Sequence, residues 1–140
     1  MKYEGLQPKL RDSTDPISQE IGKFGCYFLS LFQIAELVLR DEDYEKVLSE
    51  LYYRYQKFGL MDHECTILNG PAILKDLTGD TWKLEKLETP VLPTIPPYGA
   101  EIINQYQAFS GKGYHFRYMP VDTEIERNRI LVGYRIYTRV

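Results

Sequence analysis

Residues 26–40 read CYFLSLFQIAELVLR, and the reading of this stretch decides the fold. It holds no Gly and no Pro, and its apolar residues cover most of a helix circumference. At about 100° per residue, Ser30, Gln33, Glu36 and Arg40 fall on one narrow polar stripe. A helix this apolar is predicted to be central and packed on several sides. Cys26 opens it and projects toward the polar stripe, about 40° from Ser30 by the same geometry.

Upstream, residues 1–16 read as an irregular arm ending at Asp15-Pro16. A helical turn over 17–21 then leads to a flexible Gly22-Lys23-Phe24-Gly25 approach. Downstream, a second helix is predicted from about Asp43 to Phe58, capped by Asp41 or Asp43 and ended by Gly59. A third follows Asn69-Gly70-Pro71, with Asn69 as N-cap and Gly79 as the stop. The second half changes character. Thr81–Leu87 alternates as a strand does. Residues 89–98, TPVLPTIPPY, carry four prolines and form an extended connector. Ala100–Phe109 and Tyr114–Met119 flank a Gly-rich turn as a β-hairpin, although the first of these also fits helical spacing. Ile130–Arg139 closes the chain as a strand. Helices first and strands second predict a single α+β domain over 1–140, a central apolar helix packed on a small antiparallel sheet.

Composition narrows the function classes. The chain has 140 residues, the usual size of one domain, with 44% apolar and 26% charged residues. Its 12 tyrosines suit strands and half-exposed surfaces. Net charge is -3 with both signs interspersed, which argues against nucleic acid as partner. Arg127, Arg129, Arg135 and Arg139 are expected to decorate strand faces. The polar N-terminus predicts no signal peptide, and no apolar run approaches the ~20 residues that span a bilayer. With two cysteines and no disulfide-framework spacing, the expectation is free thiols in a reducing, cytoplasmic compartment.

A free thiol at a helix start has a chemical use. Orphan N–H groups and the helix dipole lower a cysteine pKa. Gly25 leaves the approach side open, and Gln19, seven positions upstream of Cys26, can offer an amide to an oxyanion. Of the two histidines, His115 lies on a predicted strand, which fixes an imidazole better than the polar MDHEC segment around His63. Asp122 becomes the cross-strand partner of His115 if Tyr118-Met119 forms a two-residue turn, and Asn128 is the alternative orienting residue.

Gln19, then Gly25-Cys26-Tyr27-Phe28 opening an apolar helix, then Tyr114-His115-Phe116 on a strand, resembles the papain-like cysteine peptidase superfamily, and most closely its compact bacteriocin-processing type. The segments GCYFLSLFQIAE, HECTILNGPAIL, YHF and GYRIY also resemble an uncharacterised bacterial family known from phages and spirochaete plasmids. The superfamily pattern implies Cys26 as nucleophile, His115 as base, Asp122 or Asn128 as orienter and Gln19 as oxyanion donor. It implies a cysteine hydrolase acting on a peptide or related amide bond, with no cofactor and a peptide or protein partner. The alternative is a catalytically silent papain-like scaffold that binds a host protein or small ligand, because fold does not guarantee chemistry.

Each residue also has a plainer reading. A cysteine at a helix start is commonly a small buried hydrophobe, and an Asp such as Asp122 is commonly a turn residue. Cys65 with His63 and Asp62 invites a zinc reading, but H-x-C lacks the paired motifs of structural zinc sites, so Cys65 is expected to pack between the second and third helices. Pro93 and Pro96 match a P-x-x-P ligand, yet a crossover between the two halves explains them more simply.

Overall fold

The computed structural model describes residues 1–108, 113–118 and 128–140. Among them are five helices, α1 (Leu6–Arg11), α2 (Pro16–Phe24), α3 (Cys26–Ile34), α4 (Tyr44–Lys57) and α5 (Gly70–Thr78). Four strands follow, β1 (Trp82–Leu87), β2 (Glu101–Ala108), β3 (Tyr114–Tyr118) and β4 (Arg129–Arg139). The strands form one sheet in the order β1-β4-β2-β3, antiparallel at every pairing. The architecture is therefore α+β with a helical first half and an antiparallel sheet. Among the described residues no helix is long and apolar enough to cross a membrane.

The central helix is where it was expected, but it is shorter. α3 buries Phe28, Leu31 and Phe32 completely, and the Phe28 ring contacts those of Phe32 and Tyr55 at centroid distances of 4.4 and 6.1 Å. Burying side chains of this size stabilises the fold by roughly 1.5–3 kcal/mol each. The helix ends at Ile34 because the chain turns left-handed at Glu36, with φ 55°. Glu36 N–H then reaches the Gln33 carbonyl and Leu37 N–H the Phe32 carbonyl, at 3.1 and 3.0 Å. These are the two bonds of a Schellman stop, here with Glu in the position glycine usually takes. What holds the turn is tertiary: Leu39 is buried, and the Tyr3 hydroxyl donates to the Leu37 carbonyl at 2.6 Å.

The N-terminal arm is not irregular throughout. α1 forms because Leu6 and Leu10, one turn apart, both bury into the core. α2 extends through the stretch expected to be flexible. Asp15 caps it by accepting from Ser18 N–H at 2.9 Å, and Pro16 occupies its first turn. The helices at 44–57 and 70–78 agree with the sequence reading, except that Asp43, at the N-cap of α4, makes no side-chain cap bond. Asn69 accepts from Ala72 N–H at 3.1 Å, and Gly79 ends α5 at φ 79°. The 89–98 connector has no regular structure.

Candidate functional site

Gly25 is the one-residue joint between α2 and α3. Its N–H donates to the Ile21 carbonyl at 2.7 Å and its carbonyl accepts from Leu29 N–H at 2.8 Å, so it ends one helix and starts the next. A Cβ there would lie 2.4 Å from the Ile21 oxygen. The glycine serves this close approach, and it sets Cys26 at the first position of α3.

α3 starts against the outer edge of β3. Phe116, opposite Gln105 of β2, donates its N–H to Cys26 Sγ at 3.4 Å. The thiol thus takes the place of a neighbouring strand's carbonyl and helps blunt the open edge. Burial pushes the Cys26 pKa up, while the N–H groups of Phe116, Tyr27 and Cys26 and the charge of Arg129 oppose the rise. Desolvation wins, and Cys26 is a thiol at neutral pH.

Among the described residues none of the other sequence-derived residues hydrogen-bonds the sulfur. Tyr114 and Phe116 face the same pocket as Cys26, so strand alternation sends the His115 side chain from the opposite face of β3. Among the described residues no hydrogen bond joins His115 to Cys26. Burial lowers the His115 pKa to about 4, helped by the positive charges of Arg129, Arg117 and Arg11, so the ring is neutral at pH 7. Gln19 donates its amide to the Ser13 carbonyl. Asp122 lies outside the described residues, and Asn128 is exposed just before β4. Cys65 is buried, as expected, at φ 60° and beside the same pocket as Cys26. His63 is exposed and lies 3.6 Å from Glu64. Among the described residues no three His, Cys, Asp or Glu side chains stand together as a metal site.

Beside Cys26 a pocket of about 490 Å³ opens between the start of α3, the 64–69 loop, the start of α5 and one face of the sheet. Ile67, Leu68, Pro71, Leu84 and Phe116 supply apolar wall. Tyr27 packs against Phe116 with centroids 4.6 Å apart and rings tilted by 47°, and its hydroxyl bonds that of buried Tyr137 at 2.6 Å. A Cβ on Gly70 would lie 1.9 Å from the Tyr137 hydroxyl, so α5 can close this side only with glycine at its first residue.

Two cations complete the lining. Arg135 is not the surface decoration its sequence spacing suggested: it is 9% exposed. Its guanidinium lies 5.6 Å from the Phe116 ring centre, donates to the Tyr134 carbonyl at 3.1 Å and pairs with Glu88 at 3.0 Å. Lys86 is its direct cross-strand partner. The sequence reading does not single out Lys86; it has Arg135 as strand-face decoration, and Tyr27 and Phe116 only as members of the motifs around Cys26 and His115. An arginine inside the apolar run LVGYRIY was the one local sign, and the Lys86–Arg135 pairing depends on a register that only the folded sheet supplies.

A family model described as "Protein of unknown function, DUF261" matches residues 6–125, and the chain belongs to that family. No curated protein and no solved structure matches it.

Proposed function

We propose that this chain is a binding protein whose ligand enters the pocket beside Cys26, on a papain-like scaffold that performs no turnover. The carrying observation is the pocket itself. At about 490 Å³, with apolar and aromatic walls and a few convergent polar groups, it has the size and make-up of a small-ligand site. The silence of the scaffold rests on Cys26, whose sulfur makes no bond to His115 among the described residues and whose pKa burial raises. A neutral His115 on the far face of β3 and a Gln19 amide held by Ser13 support the same reading. The resemblance to phage- and plasmid-borne sequences belongs to this proposal as its biological setting.

The test is a fragment screen read by amide NMR shifts. Apolar fragments should move the Tyr27 and Phe116 amide signals. Leu68→Arg, at a pocket residue 61% exposed, should weaken those shifts without unfolding the chain. A screen in which no fragment moves these amides sinks the reading.

The cysteine-hydrolase reading, with Cys26 and His115 acting on an amide bond, is favoured by one observation: the Phe116 N–H donates to the sulfur at 3.4 Å, and it and the N–H groups of Tyr27 and Cys26 favour the charged form. Groups so placed suit a thiolate or an oxyanion. The pH dependence of Cys26 alkylation in a Cys65→Ala background separates the two. A binding protein gives an apparent pKa at or above the ~8.5 of a free thiol, unchanged by His115→Ala. A value well below that, lost with the imidazole, favours the hydrolase.

A further inference from the structure

The two cations of the pocket are in an arrangement that the fold alone does not favour. Lys86 and Arg135 are directly opposed on antiparallel strands and line the same pocket. Like charges so placed repel and destabilise a sheet. Lys86 makes no ion pair among the described residues. Arg135 has Glu88, but that carboxylate reaches in from outside: its side chain is 65% exposed against 10% for Arg135. Glu88 stands mostly in water, so it can leave the guanidinium without being unpacked from the fold. The guanidinium carries five donors. Among the described residues its polar partners are the Tyr134 carbonyl and Glu88, and it also lies over the Phe116 ring.

We propose that the pocket takes a small monocarboxylate with an apolar or aromatic body, its carboxylate binding Arg135 in place of Glu88 and lying toward Lys86. This names the ligand class of the binding reading above and rests on it. The apolar walls and the tilted Tyr27–Phe116 ring pair suit the body of such a molecule and offer little to inorganic phosphate or a sugar. Planar Arg recognises a carboxylate through two parallel bonds, and that bond pair is stronger where water is excluded. Glu64, the acidic residue of the lining, sits on the 64–69 loop beside His63 and is itself exposed, so the sheet side of the pocket remains cationic. On binding, Glu88 moves into water, the ligand neutralises one of two opposed cations, and no bond is made or broken.

The experiment is calorimetric titration of the full chain with octanoate and cinnamate, and with their neutral amides. It is run on the natural sequence and on Glu88→Gln, a substitution at an exposed side chain. Each carboxylate should bind at least about tenfold more tightly than its amide, the value of a charge-assisted bond. Added salt should narrow that gap. Glu88→Gln frees Arg135, so it should tighten carboxylate binding several-fold and leave the amides unchanged. Amides that bind as well as carboxylates in both proteins overturn the ligand class and leave the binding reading standing. Carboxylates that bind no better to Glu88→Gln overturn the exchange with Glu88. If none of the four probes binds either protein, and the fragment screen is also blank, both readings fall.

Discussion

His115 offers the sharpest test of what the site does, because the two readings require opposite charge states from it. A base paired with a thiolate needs an imidazolium. The structure buries the ring and places it within the positive fields of Arg129, Arg117 and Arg11, which lowers its pKa from 6.5 to about 4. The sign follows from proton linkage. Between those values the unfolded chain binds a proton that the folded chain refuses, so stability falls as pH drops through this window and is fully present above it. Each pKa unit is worth about 1.4 kcal/mol, so the loss approaches a ceiling of about 3 kcal/mol, less whatever solvent reaching the half-buried ring screens. The perturbation is His115→Gln, which removes the titration. The assay is urea unfolding of both proteins at several values between about pH 7 and pH 4, where taking the difference cancels the carboxylates common to both. The natural sequence should lose its stability more steeply. A His63→Gln background leaves His115 as the single imidazole in an NMR titration. Parallel loss of stability in the two proteins, or a His115 titration at or above 6.5, refutes the argument and returns the imidazolium to consideration.

Two other predictions concern the frame that holds the site. Asp76 accepts from Arg54 at 2.7 Å and from the buried Tyr55 hydroxyl at 2.8 Å, and its pKa is lowered, first by the Arg54 bond. Its contribution is therefore present above the ordinary carboxylate pKa and is lost as pH falls through the folded value. Asp76→Asn should cost about 1 kcal/mol at neutral pH, chiefly through the poorer acceptor left to Tyr55, and should flatten the acid limb of a stability profile below about pH 4. Gly25→Ala places a Cβ 2.4 Å from the Ile21 carbonyl and should destabilise by roughly 1–3 kcal/mol in thermal unfolding, with the Phe116 amide signal shifting as Cys26 moves. An unchanged melting temperature counts against the joint described for α2 and α3.

Local chemistry determined most of the elements. Asn69-Gly70-Pro71 and Gly79 bracket α5 because a side-chain cap, a fixed proline φ and a left-handed glycine act within a few residues. The alternating pattern of 82–87 and the apolar run from Cys26 likewise carry their structure in short-range periodicity. The order of helices before strands was enough for an α+β antiparallel architecture. The sequence also singled out Cys26 as the start of the central helix.

What tertiary structure decided is where those elements stop and which side chains meet. Nothing local ends α3 at Ile34: Glu36 accepts a left-handed φ because Leu39 buries and Tyr3 holds the Leu37 carbonyl. Leu6 and Leu10 make α1 because a core exists for them to enter. The partner of the Cys26 sulfur is the backbone of Phe116, which has no sequence signature. Lys86 and Arg135, 49 positions apart, became one cationic pair only through the β1–β4 register. Periodicity reports a residue's face relative to its own helix or strand. It carries no information about which distant face will lie opposite, and the pocket is made entirely of such meetings.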